Sequence, residues 1–235
     1  MYKFIITICV FSSMVFSATA QQNQAIANEI TKNANYKKMD YFHFEASWLT
    51  WLDKPDSVKL KPLSHNFSTY LSYPMQLGKS HFSFVPGIGF SIDNVYLNSK
   101  PKYDTAKNMY LSPISASTSY KMNKQTYGYL MAPITLNYFS KADKNGKVWK
   151  VSAGMRINML LNSHTKYKGN NASGVAEKVK NFNIPYTNKY RVDASLTVGY
   201  DWIYVVANYS LSNYVATGKG PQYHPFNIGV GIVGF

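Results

Sequence analysis

Cysteine is nearly absent. The 235-residue chain has one, Cys9, inside the apolar run Phe4 to Phe16. With Lys3 before that run and Ser17-Ala18-Thr19-Ala20 after it, residues 1–20 read as a secretory signal peptide cut after Ala20. The run is shorter than the ~20 residues that cross a bilayer as a helix, so an anchor is the weaker reading. No cysteine follows the cleavage site, which excludes a lipoprotein, and without Cys9 the mature chain has no disulfide and no thiol chemistry. Arginine is almost as scarce, with Arg156 and Arg191 alone. Acidic residues number 11 against 25 Lys+Arg, a formal net charge of +14; loss of Lys3 leaves 24 − 11 = +13. Beyond the leader no stretch is apolar enough to form a membrane helix. His43, His65, His81, His164 and His224 are scattered, without metal-ligand spacing, so neither a metal nor a cofactor is expected. Basic charge raises nucleic acid as a partner. Export argues against it, and anionic lipid headgroups become the counterpart.

Aromatics and alternation are plentiful. There are 20 tyrosines and 13 phenylalanines. After a polar lead-in at 21–40, with room for one helical turn at Ala25–Ile30, residues 41–235 show a period of two that returns eight times. The expected strands are 41–52, 66–77, 81–98, 120–139, 148–162, 189–200, 202–214 and 226–235. The last sets Phe226, Ile228, Val230 and Ile232 against Asn227, Gly229 and Gly231, then ends on Phe235. An unpaired apolar edge invites aggregation, whereas a closed barrel pairs its last strand with its first. These residues with Phe235 resemble the C-terminal signal by which outer-membrane barrels are recognised for assembly. Strict alternation puts Val233 and Phe235 on the glycine face, which a twist or bulge near the end would repair. Trp48, Trp51, Tyr73, Tyr96, Tyr138, Trp149, Tyr190, Tyr200 and Trp202 fall near strand ends, where a bilayer interface suits them.

Connections after the second, fourth and sixth strands are short, and those at 53–65, 99–119, 163–188 and 215–225 are longer. The pattern predicts an all-β, eight-stranded antiparallel up-and-down transmembrane β-barrel, with termini and short turns in the periplasm and long loops outside. The competing fold is a soluble calycin-type barrel, which would invert the pattern to an apolar lumen.

Several segments resemble one family. Phe84-Val-Pro-Gly-Ile-Gly-Phe-Ser91, Tyr129-Leu-Met-Ala-Pro133, Tyr190 with Val198-Gly-Tyr200, and Ala207-Asn-Tyr-Ser-Leu211 are similar to strands of the small eight-stranded outer-membrane barrels of Bacteroidota, which include PorT-type proteins. The resemblance covers about residues 41–235 and implies the barrel. Many relatives carry an acidic residue where Met131 stands, and some serve type 9 secretion. The resemblance says little about activity.

Glu45, Arg156, Arg191 and Asp193 fall on polar strand faces and form a candidate ion-pair network in the lumen, with Glu45 the partner of either arginine. An eight-stranded interior is about filled by side chains, so this network reads as a plug, or else as a gated pore. A hydrolase reading places His81 and Ser83 on one face with Glu45 nearby, as in lipid A deacylases. Lys54, Lys59, Lys61, Lys100, Lys102, Lys107, Lys166, Lys168, Lys178 and Lys180 give the expected outer loops a basic rim suited to lipopolysaccharide phosphates. Asp56-Ser57-Val58 and Asp104-Thr105-Ala106 resemble an O-glycosylation motif at Ser57 and Thr105. The expected function is a non-enzymatic outer-membrane barrel, a subunit or anchor of an envelope assembly with protein and lipid partners. The alternatives are a narrow pore and a lipid A hydrolase.

Overall fold

The computed structural model describes residues 41–171 and 174–234. The leader, the polar lead-in with its expected turn at Ala25–Ile30, and Phe235 lie outside them. The chain divides into two compact units. Of the first, Met1–Lys38 with Lys141–Gly146, the described part is a tight turn. There Asp143 accepts from the Asn145 and Gly146 amides, and Gly146 has a φ of 73°. The second, Met39–Ser140 with Lys147–Phe235, holds strands and no helix among its described residues.

The strands are β1 (Phe42–Leu52), β2 (His65–Ser72), β3 (Met75–Gln76), β4 (Phe82–Tyr96), β5 (Ser99–Tyr103), β6 (Met109–Pro113), β7 (Tyr120–Phe139), β8 (Trp149–Asn170), β9 (Ala176–Phe182), β10 (Tyr190–Tyr200), β11 (Ile203–Ser210) and β12 (His224–Gly234). Eight of them, β1, β2, β4, β7, β8, β10, β11 and β12, pair antiparallel around a ring. β12 closes on β1 from Phe42↔Gly234 to Leu52↔His224. The result is a closed eight-stranded barrel with no free edge in the ring. Turns at Gly78 (φ 63°) and Asp201 (φ 56°) mark one end, the turn end. The longer connections mark the other, the loop end.

Alternation sorts the residues. Phe44, Phe90, Met155, Leu196, Val205 and Val230 point outward and are 43–54% exposed, a continuous apolar band. Glu45, Asp93, Arg156, Arg191 and Asp193 point inward and are buried. A water-soluble barrel could not carry that band without self-association, and its lumen would not hold five charges. The soluble calycin-type alternative is therefore overturned: the polarity is that of a barrel surrounded by hydrocarbon.

The structure departs from the sequence reading in five places. The second expected strand breaks at Tyr73-Pro74, because proline has no N–H for the ladder; pairing resumes in β3. The 99–119 connection contains the β5–β6 hairpin. β8 runs to Asn170, eight residues past its expected end, and its outer half pairs with β9 as a ribbon. No bulge repairs the last strand: β12 keeps unbroken register with β1, and Val233 turns into the lumen against Tyr204 and Val206. Trp51, expected at a bilayer interface, is 1% exposed and stacks on Tyr223 at 4.1 Å inside.

Candidate functional site

The lumen is filled by two charged layers and an aromatic one. Nearest the turn end, β1 presents Glu45 and β8 presents Arg156 from the opposite wall. Arg156 grips the carboxylate with both terminal nitrogens, Nη1 to Oε2 at 2.6 Å and Nη2 to Oε1 at 2.8 Å. Tyr204 and Tyr70 donate to the same Oε1 at 3.0 and 3.1 Å, and Arg156 Nε donates to Ser195 Oγ at 3.1 Å. Planar, bidentate pairing is the strongest form of this contact. Tyr204 reaches Glu45 only because β12 offers glycine beneath it: a Cβ on Gly231 would overlap the tyrosine ring.

The second layer lies toward the loop end. Arg191 on β10 donates to Asp93 on β4 at 2.6 Å and sits 3.0 Å from Asp193. Tyr214 and Asn66 also donate to Asp93, and Asn158 donates to Asp193 at 2.8 Å. The Arg191 guanidinium lies 4.5 Å from the Tyr129 ring centre. Above it, Tyr214 stacks on Tyr127 at 4.4 Å, and Trp51 on Tyr223 seals the layer with Leu97, Met109 and Val215. At the turn end a cavity of about 40 Å³ remains beside His43, Tyr70, Arg156 and Tyr204. That is room for a few waters at most.

All four sequence-expected network residues are in the lumen, and Glu45 pairs with Arg156. Asp93, Tyr70, Tyr204 and Tyr214 were missed as its partners, although Asp93 and Tyr70 lie on the inward face of their strands by alternation. Met131 is buried in the lumen. The hydrolase constellation is not assembled: the Glu45 carboxylate is occupied by Arg156 and two tyrosines. Ser83 on β4 faces Gln76 and Asn137 in the ladder, and His81 lies beside Tyr138. Among the described residues no group of His, Asp or Glu could hold a metal.

The loop end is built rather than loose. Between the β5–β6 hairpin and the β8–β9 ribbon lies a groove of about 450 Å³. Lys100 crosses its floor with its ammonium 3.1 Å from the Tyr167 ring centre and 3.8 Å from Glu177. Burial, with Lys102 nearby, lowers the Lys100 pKa against the opposing pull of Glu177, and burial raises the Tyr103 phenol. Thr105 stands exposed at the hairpin tip, and Ser57 is exposed in the first long connection.

A family model described as an outer membrane protein beta-barrel domain matches residues 11–215. The chain belongs to that family. This outer-membrane barrel protein is also similar in fold to a solved structure of Ail, the attachment invasion locus protein of Yersinia pestis, in complex with the heparin analogue sucrose octasulfate. Identity is 11%, coverage 83% of this chain and 100% of that one, and the TM-score 0.36. No curated protein matches the chain.

Proposed function

We propose that this barrel is a sealed, non-enzymatic scaffold of the outer membrane, whose work is done at the loop end as a subunit or anchor of an envelope assembly. One observation carries the reading: both charged layers are paired across the lumen and capped by Trp51, Tyr127, Tyr214 and Tyr223, the arrangement a plug requires. A narrow pore is the alternative, and it would have to open these pairs. The lipid A hydrolase has no free acid, because Arg156 holds Glu45.

The same proposal includes export by residues 1–20 with cleavage after Ala20, a polar periplasmic lead-in at 21–40, periplasmic termini and loops outside. It also includes assembly through Phe226, Ile228, Val230, Ile232 and Phe235, and lipopolysaccharide and envelope proteins as partners. Glycan acceptance at Ser57 and Thr105 fits their exposure. The likeness to PorT-type barrels of Bacteroidota belongs to this proposal too, and rests on the strand motifs alone.

Planar-bilayer recording of the purified barrel tests the central claim. A heat-modifiable band on gels with no single-channel steps is expected. Regular steps from the folded protein would overturn the scaffold reading in favour of a pore.

A further inference from the structure

The β8–β9 ribbon has two unlike faces. Its inner face, with Thr165, Tyr167, Glu177 and Val179, lines the groove. Its outer face continues the lipid-facing side of β7 and β8, and on it the ladder sets lysine against lysine. Lys124 on β7 opposes Lys166 on β8, which opposes Lys180 on β9, and one step further out Lys168 opposes Lys178. The row ends on Tyr96 of β4, opposite Lys124. Directly opposed side chains have Cβ atoms about 5 Å apart, and like charges there destabilise a sheet. None of the five lysines has a carboxylate within ion-pair distance among the described residues, and Glu177, the ribbon's one acid, is on the other face. Folding thus assembles a positive surface that the chain itself does not neutralise.

Height selects the counterion. The last exposed apolar side chain on this face is Phe182 of β9, opposite His164. Lys166 and Lys168 lie about 7 and 13 Å further along β8, or about 5 and 10 Å in height at the usual barrel tilt. Phospholipid headgroups add only about 5–8 Å beyond the hydrocarbon on each side. A phosphorylated saccharide headgroup is deep enough to reach both rows.

We propose that the outer face of the ribbon, with Lys124, Lys166, Lys168, Lys178 and Lys180, is a lateral binding site for the phosphates of an outer-leaflet glycolipid, lipopolysaccharide. This inference rests on the proposed orientation, with the loop end outside.

The test uses the mature full-length barrel in neutral phosphatidylcholine liposomes, doped with purified lipopolysaccharide or with the same lipid dephosphorylated. The readout is glycolipid retained per barrel after extraction. The variant K166Q/K168Q/K178Q/K180Q should retain phosphorylated lipid at least about tenfold more weakly than wild type, given the pull of each lysine near an anionic surface. An equal charge loss in the short turns, K79Q/K141Q/K144Q/K147Q, should leave retention unchanged, and four Lys→Arg replacements in the ribbon should preserve it. A comparable loss in the control variant means net charge, not a site, and overturns the proposal. So does unchanged retention in the ribbon variant. So does equal retention of dephosphorylated lipid, or full displacement by millimolar inorganic phosphate, which would indicate a soluble anion. The orientation is read separately, by labelling the loop end in intact cells. Labelling from outside together with unchanged retention defeats this inference alone, whereas a loop end reached only after lysis defeats the reading beneath it.

Discussion

Arg156 is 3% exposed, and its partner Glu45 is 0% exposed. Removing one member of such a buried pair leaves the other charge uncompensated, which costs about 3–5 kcal/mol. Arg156→Met should therefore lower the temperature at which the compact band is lost on semi-native gels far more than Glu45→Gln/Arg156→Met does. If the two losses simply added, the pair would not be a coupled unit. Gly231→Ala makes a companion case, since its methyl must push Tyr204 off Glu45. Destabilisation of about 1–3 kcal/mol is expected, the cost of an unmade buried hydrogen bond. Tyr204→Phe in the same background should lose little more. Both arginines could be assigned to the lumen from alternation alone. Their partners could not, because Arg156 meets Glu45 across the ring, four strands away, and Arg191 meets Asp93 three strands away. No local spacing encodes a contact between opposite walls of a barrel.

At the scale of the element, a single residue explains the largest gap between sequence and structure. Gly128 pairs with Asn162 and Tyr129 with Leu160, so Leu161 is an extra residue on β8. A bulge of this kind flips the phase of the strand. Below it Ser152, Arg156 and Asn158 face the lumen; above it Ser163 and Tyr167 do. A reader following one period of two stops at Asn162, which is why the outer half of β8 and all of β9 read as a loop. Apart from a second irregularity at Tyr120/Met122, at the start of β7, the other barrel strands keep one phase and were legible to within a few residues. The β5–β6 hairpin was hidden for a different reason: Ser99-Lys-Pro-Lys-Tyr103 and Met109-Tyr-Leu-Ser-Pro113 carry little alternation and pair mainly with each other. Deleting Leu161 should close the bulge into continuous register, because Leu160 already faces the lumen and Asn162 the outside, and should leave Tyr167 inward and Lys166 outward. Trypsin should then spare 164–182 in the folded variant as in the wild type. Cleavage there in the variant alone would show that the bulge itself holds the ribbon.

For the whole molecule, orientation is the property on which the scaffold and the glycolipid site both depend, and this chain is well made for measuring it. If Cys9 leaves with the leader, the mature protein has no thiol, and any introduced cysteine reports alone. Thr105→Cys places one at the exposed tip of the β5–β6 hairpin, and Lys79→Cys places one in the turn beside Gly78 at the opposite end. Neither position lies in the ring, so neither replacement should disturb closure. A membrane-impermeant maleimide should label Thr105→Cys in intact cells, and Lys79→Cys only after the outer membrane is opened. The reverse pattern would put the basic ribbon in the periplasm, away from lipopolysaccharide. The unsubstituted protein, denatured and labelled, completes the experiment: no label means that Cys9 has been removed with its segment, and a labelled band means that the leader is retained. The physical reason to expect loops outside is the asymmetry of the barrel itself. One end closes in tight turns at Gly78 and Asp201. The other carries the hairpin, the groove and a lysine face with no counterion of its own, and only a side rich in anions makes that arrangement stable.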